Sequence, residues 1–147
     1  MPVISEVTIL LVEDNAGHAR LIEKNLRRAN VSNPIVKLED GQVALDYLFA
    51  EQGFVNTVPR GHLLVMLDLN LPVIDGYRVL EVMKSDERTK SIPIIVLTTT
   101  DDVQEINRCY ELGCNIYITK PVQYEQFSDA IAKLGLFLSV VMLPDGS

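Results

Sequence analysis

The chain has 147 residues, of which 48% are hydrophobic and 22% charged, which is ordinary for one globular domain and excludes a disordered protein. Thirteen basic and twenty acidic side chains give a net charge of −7, the wrong sign for a protein that binds nucleic acid or anionic lipid by neutralising phosphates. The densest apolar stretch, 136–143, is far shorter than the roughly 18 residues of a membrane span, and the N-terminus lacks the basic cluster of a secretory signal, so we expect a cytoplasmic protein.

Five short runs rich in Val, Ile and Leu predict five β-strands. In chain order they cover residues 7–12, 35–38, 63–67, 94–97 and 116–118. Their apolar character is continuous rather than alternating, which is typical of strands covered on both faces in a parallel sheet.

Segments with helical spacing of apolar residues lie between and after these runs. They begin after Asn15, at about 42, near Gly76, after Asp102 and after Pro121. Asn15 is suited to cap the first helix. Asp101 and Asp102 suit the start of the fourth helix, and Gly113 suits its end.

Strict alternation of strands and helices predicts a flavodoxin-like, doubly wound α/β sheet of order 2-1-3-4-5 with helices on both faces. We interpret residues 1–147 as a single domain with a surface loop at 53–62 and an apolar C-terminal extension at about 136–147. Ligands of such folds bind at the carboxyl ends of the strands, near the point between the first and third strands where the order reverses.

Polar side chains follow four of the five predicted strands: Glu13 and Asp14, Asp68, Thr98 and Lys120. Taken singly, each has a structural alternative as a helix N-terminal acid, a turn cap, a strand-end hydroxyl or a solvated charge. Taken together, they predict one functional cluster at one edge of the sheet.

The chemistry of this cluster favours phosphoryl transfer. Three neighbouring carboxylates repel one another, and they either raise a pKa or recruit a cation, for which Mg²⁺ with its preference for oxygen ligands is the natural candidate. A carboxylate can also attack phosphorus to form an aspartyl phosphate. Lys120 then supplies compensating positive charge, and the hydroxyl of Thr98 can donate to a phosphoryl oxygen.

Other motif classes have little support. Cys109 and Cys114 match no metal or redox spacing, so we expect two reduced packing residues. His18 lies in the first predicted helix and His62 in the long loop, and we interpret both as surface polar groups, which leaves no histidine as a general base. The sequence contains no GxGxxG or GxxxxGK[ST] motif for a nucleotide.

The segments LLVEDN, MLDLNLPVIDGYRVL, IIVLTTT and YITKP resemble the motifs of the CheY-like receiver domain of two-component response regulators, from about Val7 to Phe137. The separations also match, with 30 residues from Asp68 to Thr98 and 22 from Thr98 to Lys120. The resemblance implies a set of roles: Asp68 as phosphoacceptor, Glu13 and Asp14 as the acidic pair, Asn70 as a backbone-carbonyl metal ligand, Lys120 as the phosphoryl-contacting lysine before a structural Pro121, and Thr98 with Tyr117 as the switch pair.

Two positions depart from the family pattern. Thr99 stands where the family usually has a smaller residue, which implies narrower access to the phosphoryl group and slower turnover, and Val122 replaces a frequent Phe. Tyr117 has an alternative as a packed strand residue. The long loop and the apolar C-terminal extension are similar to those of small response regulators that partner cyanobacterial phytochrome kinases.

The leading hypothesis is therefore a stand-alone receiver that takes a phosphoryl group from a histidine kinase on Asp68 and signals through a partner, a change of oligomeric state or onward phosphotransfer. The alternative is a Mg²⁺-dependent phosphohydrolase similar to the haloacid-dehalogenase group. Such enzymes carry a second Asp two residues after the nucleophile, where this chain has Asn70. A phosphate-independent interaction module would fit better if the acids or the lysine were missing.

The C-terminal region also predicts a homodimer. Apolar residues surround the axis of a helix there, so that one side would remain exposed after the other packs on the domain. The candidate dimer residues are Leu134, Phe137, Leu138 and Val141. The alternative is a shorter helix whose tail folds back over the chain's own sheet.

Overall fold

The computed structural model describes residues 7–28, 31, 33–49, 63–99, 101–120, 125, 126 and 129. Its strands and helices alternate along the chain. In order they are β1 (Thr8–Val12), α1 (Ala16–Arg28), β2 (Ile35–Leu38), α2 (Gly41–Phe49), β3 (Leu63–Asp68), α3 (Gly76–Ser85), β4 (Ile94–Thr98), α4 (Val103–Leu112) and β5 (Ile116–Thr119).

The five strands form one sheet of order β2-β1-β3-β4-β5, and every neighbouring pair is parallel. This confirms the predicted flavodoxin-like order. The three inner strands β1, β3 and β4 are buried along their whole length, whereas the edge strands β2 and β5 are partly exposed. Burial on both faces explains the continuous apolar runs that predicted these strands.

Side chains alternate between the two faces of the sheet, and each face has its own core. The face that packs against α1 contains, from the inner strands, Ile9, Leu11, Leu64, Met66, Ile95 and Leu97. The opposite face packs against α2, α3 and α4 and contains, from the same strands, Leu10, Val12, Leu63, Val65, Leu67, Ile94 and Val96. The described helices therefore lie on both faces, as predicted.

Local hydrogen bonds fix where the helices begin and end. The Asn15 side chain accepts from the His18 N–H at 2.9 Å, which confirms the predicted cap of α1. Asp102 accepts from the Gln104 N–H at 2.8 Å at the start of α4. Gly113 ends α4 with φ of 110°, a left-handed conformation that costs glycine little.

Cys109 and Cys114 lie where α4 ends and are both free and buried. They belong to the core that α2, α3 and α4 form with the sheet. Burial raises the pKa of both thiols, to about 12 for Cys114. They are therefore packing residues, as predicted.

Several predicted features lie outside the described residues, namely the loop 53–62 with His62, Pro121, Val122 and the C-terminal extension. Of the predicted fifth helix, the structure describes Glu125, Gln126 and Asp129, which are helical and exposed. None of the described helices combines the length and the apolar composition that crossing a membrane requires.

Candidate functional site

Parallel strands bring the predicted site residues to one edge of the sheet. Asp68 is the last residue of β3 and pairs with Leu97 of the neighbouring strand. Glu13 directly follows β1, and Lys120 directly follows β5. Since all these strands run in the same direction, their carboxyl ends meet and the three charged groups become neighbours.

The three predicted acids form a cluster. Carboxylate oxygens of Glu13, Asp14 and Asp68 all lie within 4.8 Å of one another. Glu13 and Asp68 are buried, whereas Asp14 is exposed. Burial raises the pKa of Asp68 most, the nearby Glu13 raises it further, and Lys120 together with the Asn70 N–H opposes the shift.

Lys120 provides the positive charge of the site. Its Nζ forms an ion pair with Glu13 Oε1 and lies 3.5 Å from Asp68 Oδ2. Only 8% of its side chain is exposed. The alternative that Lys120 is a solvated charge is therefore wrong. The side chain is buried between two acids, as is usual for the few lysines that are withdrawn from solvent.

Glu13 is held from both sides. One carboxylate oxygen contacts Lys120, and the other, Oε2, accepts a hydrogen bond from the Asn15 N–H at 3.1 Å. Asn15 in turn caps α1, so the first turn of that helix and the Glu13 carboxylate are positioned by one residue. The acid is thereby fixed while its neighbour Asp14 remains in contact with solvent.

The turn after β3 fixes the Asp68 side chain. Asn70 lines the pocket, and its N–H donates to Asp68 Oδ1 at 3.3 Å. The turn closes with a hydrogen bond of 3.0 Å from the Gly76 N–H to the Leu69 carbonyl. A Cβ at Gly76 would lie 2.3 Å from the Asp68 carbonyl oxygen, so only glycine permits this close approach.

The two threonines at the end of β4 occupy different environments. Thr98 is fully buried, and its carbonyl accepts from the Lys120 N–H at 2.7 Å. Thr99 is exposed and lines the pocket. The backbone of Thr98 thus positions the lysine, and the side chain of Thr99 stands at the entrance, where a bulkier residue than usual was predicted to narrow access.

Tyr117 lies in β5 and is partly buried against the core that contains Cys109. Its N–H donates to the Tyr110 hydroxyl at 3.2 Å, which ties β5 to α4. Burial raises the pKa of the Tyr117 phenol to about 12, so it is a neutral hydroxyl at physiological pH. Its role as a switch stays a prediction, as does the Asn70 carbonyl as a metal ligand.

His18 is exposed, as its interpretation as a surface polar group predicts, and it also lines the same pocket as the acids, which the sequence did not indicate. Its Nδ1 lies 3.3 Å from Lys120 Nζ and 3.9 Å from Glu13 Oε2. The signal available in the sequence was its place in the first turn of α1, because helix N-termini that follow a strand meet the functional edge of such sheets.

These residues line an open pocket of about 170 Å³, formed by Glu13, Asp14, Asn15, His18, Asp68, Asn70, Thr99 and Lys120. Three carboxylates face one ammonium group there, which leaves an excess of negative charge. Hard oxygen donors on a partly solvated rim suit a divalent cation that keeps several of its waters. The donor set therefore fits the cation site expected from the sequence.

Pro121 and the residues predicted for the dimer surface, Leu134, Phe137, Leu138 and Val141, lie outside the described residues. The described lining of the pocket comes from the carboxyl ends of β1, β3, β4 and β5, the turns that follow them and the first turn of α1.

Comparison with known proteins identifies relatives of the same architecture. Residues 9–132 match the response regulator receiver domain family. A response regulator receiver domain structure from Rhodospirillum rubrum is 54% identical, with a TM-score of 0.74, and the match covers 91% of this chain and 94% of that one.

Two further relatives are a phytochrome response regulator and a response regulator crystallised with Mn²⁺. The phosphorylated cyanobacterial phytochrome response regulator RcpA is 37% identical with a TM-score of 0.73, over 90% of this chain and 94% of that one. Response regulator Rcp1 of Synechocystis sp. is 36% identical over 92% of both chains. A Mn²⁺-bound crystal structure of Rcp1 matches with a TM-score of 0.70 at 32% identity, over 92% of this chain and 94% of that one.

Proposed function

The chain belongs to the response regulator receiver domain family, whose members are phosphoacceptor switches rather than classical enzymes, and from this premise we propose that Asp68 is the residue that takes the phosphoryl group. The observation that carries the proposal is its position at the end of the central strand, within 3.5 Å of Lys120 Nζ and beside two further acids. Glu13 is equally buried and also pairs with Lys120, but of these acids Asp68 is the one that ends the central strand β3.

The chain's own residues perform the transfer. An Asp68 carboxylate oxygen attacks phosphorus, a bond from phosphorus to oxygen forms, and the bond from phosphorus to the donor nitrogen of a phosphohistidine breaks. Lys120 releases Glu13 in part and donates to a phosphoryl oxygen, which compensates the charge that arrives. The hydroxyl of Thr98, at the end of the neighbouring strand β4, donates a hydrogen bond to a phosphoryl oxygen.

We propose Mg²⁺ as the cation of the site, held by Glu13, Asp14, Asp68 and the carbonyl of Asn70. When bound, it neutralises carboxylate charge and screens the incoming phosphoryl oxygens. The three carboxylates are all oxygen donors within 4.8 Å of one another, which suits this ion. The Mn²⁺-bound relative supports a divalent ion of the same chemical class.

A receiver domain implies a histidine kinase as partner. We propose that the kinase is of the phytochrome type, because RcpA and Rcp1 match this chain over nine-tenths of its length and RcpA is described as a phytochrome response regulator. The expected long loop and apolar extension, resembling those of such regulators, point the same way. The phosphohydrolase alternative finds no support, since the position that would hold its general acid is Asn70.

The output passes through a partner, onward phosphotransfer or a change in oligomeric state. We propose a homodimer built on the C-terminal residues Leu134, Phe137, Leu138 and Val141, whose apolar side chains would otherwise face solvent. Tyr117 together with Thr98 would report the phosphorylated state to this surface.

A phosphotransfer profile tests the proposed donor. Autophosphorylated kinases of the phytochrome type and of unrelated sensor classes are each mixed with the protein, and the first seconds of transfer are compared. We expect the phytochrome-type kinases to transfer fastest and Asp68→Asn to receive nothing. Equal transfer from all classes would contradict the phytochrome assignment while leaving the phosphoacceptor role intact.

A further inference from the structure

Among the described residues, three side chains contact the ammonium group of Lys120. Two are acids, with Glu13 Oε1 in an ion pair and Asp68 Oδ2 at 3.5 Å. The third is the His18 imidazole, with Nδ1 at 3.3 Å. An ammonium group has only donors, so a hydrogen bond between the two groups requires the ring nitrogen Nδ1 to accept, with the ring proton on Nε2.

His18 differs from the other two partners in its chemistry. Glu13 is proposed to bind the cation, and Asp68 is proposed to bind the cation and accept the phosphoryl group. A carboxylate oxygen that binds a cation is a weaker hydrogen-bond acceptor for Lys120. His18 is neither an acid nor a proposed ligand. It therefore remains available to Lys120 through the whole reaction.

The position of His18 is fixed by the fold. Its N–H is the one that the Asn15 side chain caps, so the residue sits in the first turn of α1 beside the Glu13 carboxylate. Half of the His18 side chain is exposed, at 50%, whereas 8% of the Lys120 side chain is exposed. The imidazole thus approaches the ammonium from the solvent side and covers it.

We infer that His18 is a positioning residue for Lys120. This inference rests on the proposed function. When Glu13 binds the cation, His18 Nδ1 still accepts from the Lys120 ammonium group, which keeps the lysine directed at the phosphoryl group rather than at solvent. Without this acceptor, Lys120 samples other rotamers, and phosphorylation of Asp68 slows.

The test compares two substitutions of similar size. His18→Leu removes the acceptor, and His18→Asn keeps an oxygen acceptor near the position of Nδ1. Initial rates of acyl-phosphate formation are measured with labelled acetyl phosphate at saturating Mg²⁺, which needs no kinase. Lys24→Leu is the matched control, since Lys24 is exposed on the same helix and does not line the pocket.

We expect His18→Leu to slow labelling about fivefold, the factor that one net hydrogen bond contributes, and His18→Asn to stay within about twofold of wild type. The control keeps the wild-type rate. In a Lys120→Ala background, His18→Leu has no further effect, because the two residues act through one contact.

The Lys120 ammonium resonance gives a second readout that does not depend on labelling. In the Mg²⁺-saturated protein, NMR reports how fast its protons exchange with water, and we expect faster exchange in His18→Leu. Unchanged exchange, equal labelling by wild type and His18→Leu, or an undiminished effect without Lys120 would each overturn the inference. A wild-type protein that takes no label would instead refute the proposed phosphoacceptor function.

Discussion

Replacing Asp68 by Asn is expected to stabilise the protein in the absence of a divalent cation. Asp68 is buried among acids, and both its burial and Glu13 raise its pKa, which means that the charged form is disfavoured in the folded state. Asparagine keeps the shape of the side chain and removes the charge. The residue at the centre of the function is therefore expected to oppose folding.

The magnitude follows from the geometry. At an effective dielectric constant of about 20, Glu13 within 4.8 Å repels Asp68 by about 3.5 kcal/mol, and Lys120 Nζ at 3.5 Å attracts it by about 4.7 kcal/mol. These two charges together favour the carboxylate by about 1 kcal/mol, and the exposed Asp14 adds little because solvent screens it. Burial is the largest cause of the raised pKa, and its cost of several kcal/mol outweighs this attraction, so we expect Asp68→Asn to gain about 1 kcal/mol in the free energy of unfolding.

The effect depends on pH with a definite sign. A carboxyl group whose pKa is raised on folding binds its proton more tightly in the native state, so stability falls as the pH rises from the ordinary aspartate value of about 3.9 through the native value. The advantage of Asp68→Asn is complete at neutral pH. It shrinks as the pH falls through the native pKa of Asp68.

Urea unfolding followed by far-UV circular dichroism measures the difference, because the chain has no tryptophan. Exposed Glu111→Gln on α4 controls for the loss of one negative charge. Mg²⁺ at ten times its dissociation constant stabilises wild type by about 1.4 kcal/mol. The difference in the free energy of unfolding between Asp68→Asn and wild type therefore disappears or changes sign when Mg²⁺ is present. An Asp68→Asn variant less stable than wild type without Mg²⁺ would show that the buried Asp68 carboxylate does not oppose folding.

Three further predictions concern the cation, the lysine and the dimer. Neutralising Glu13 and Asp14 together should reduce Mg²⁺ affinity by at least about tenfold, because Mg²⁺ is held chiefly by carboxylates, and unchanged binding in calorimetry would contradict the site. Lys120→Ala should fold with its helical signal intact yet show little spectral change with beryllofluoride, and a full response would leave the lysine without a role. Wild type should sediment as a dimer and Phe137→Glu as a monomer at high micromolar concentration, whereas a wild-type monomer in both phosphorylation states would exclude the dimer.

The sequence predicted the fold and most of the pocket because parallel strands end at one edge of a sheet. Once the five apolar runs are recognised as parallel strands, Glu13, Asp68 and Lys120 must meet at that edge, whatever the details of the loops. The residue types at the helix ends also predicted where two helices begin or end, with Asn15 as the cap before α1 and Gly113 at the end of α4.

Contacts that depend on rotation and register were beyond the sequence. His18 and Lys120 are 102 residues apart, and their contact depends on how α1 turns over the end of β1. Similarly, a shift of one residue moves a strand side chain from one face to the other, so the pattern TTT did not say that Thr98 is buried while Thr99 lines the pocket.

The central claim is that the acyl phosphate forms on Asp68, and mapping the modified residue tests it most directly. The protein is phosphorylated with acetyl phosphate in Mg²⁺, reduced with borohydride to convert the acyl phosphate to homoserine, and digested for mass spectrometry. We predict homoserine at position 68 alone, and none when Mg²⁺ is chelated. Conversion at another acid would show that Asp68 is not the phosphoacceptor, and equal conversion without Mg²⁺ would show that the transfer does not need the cation.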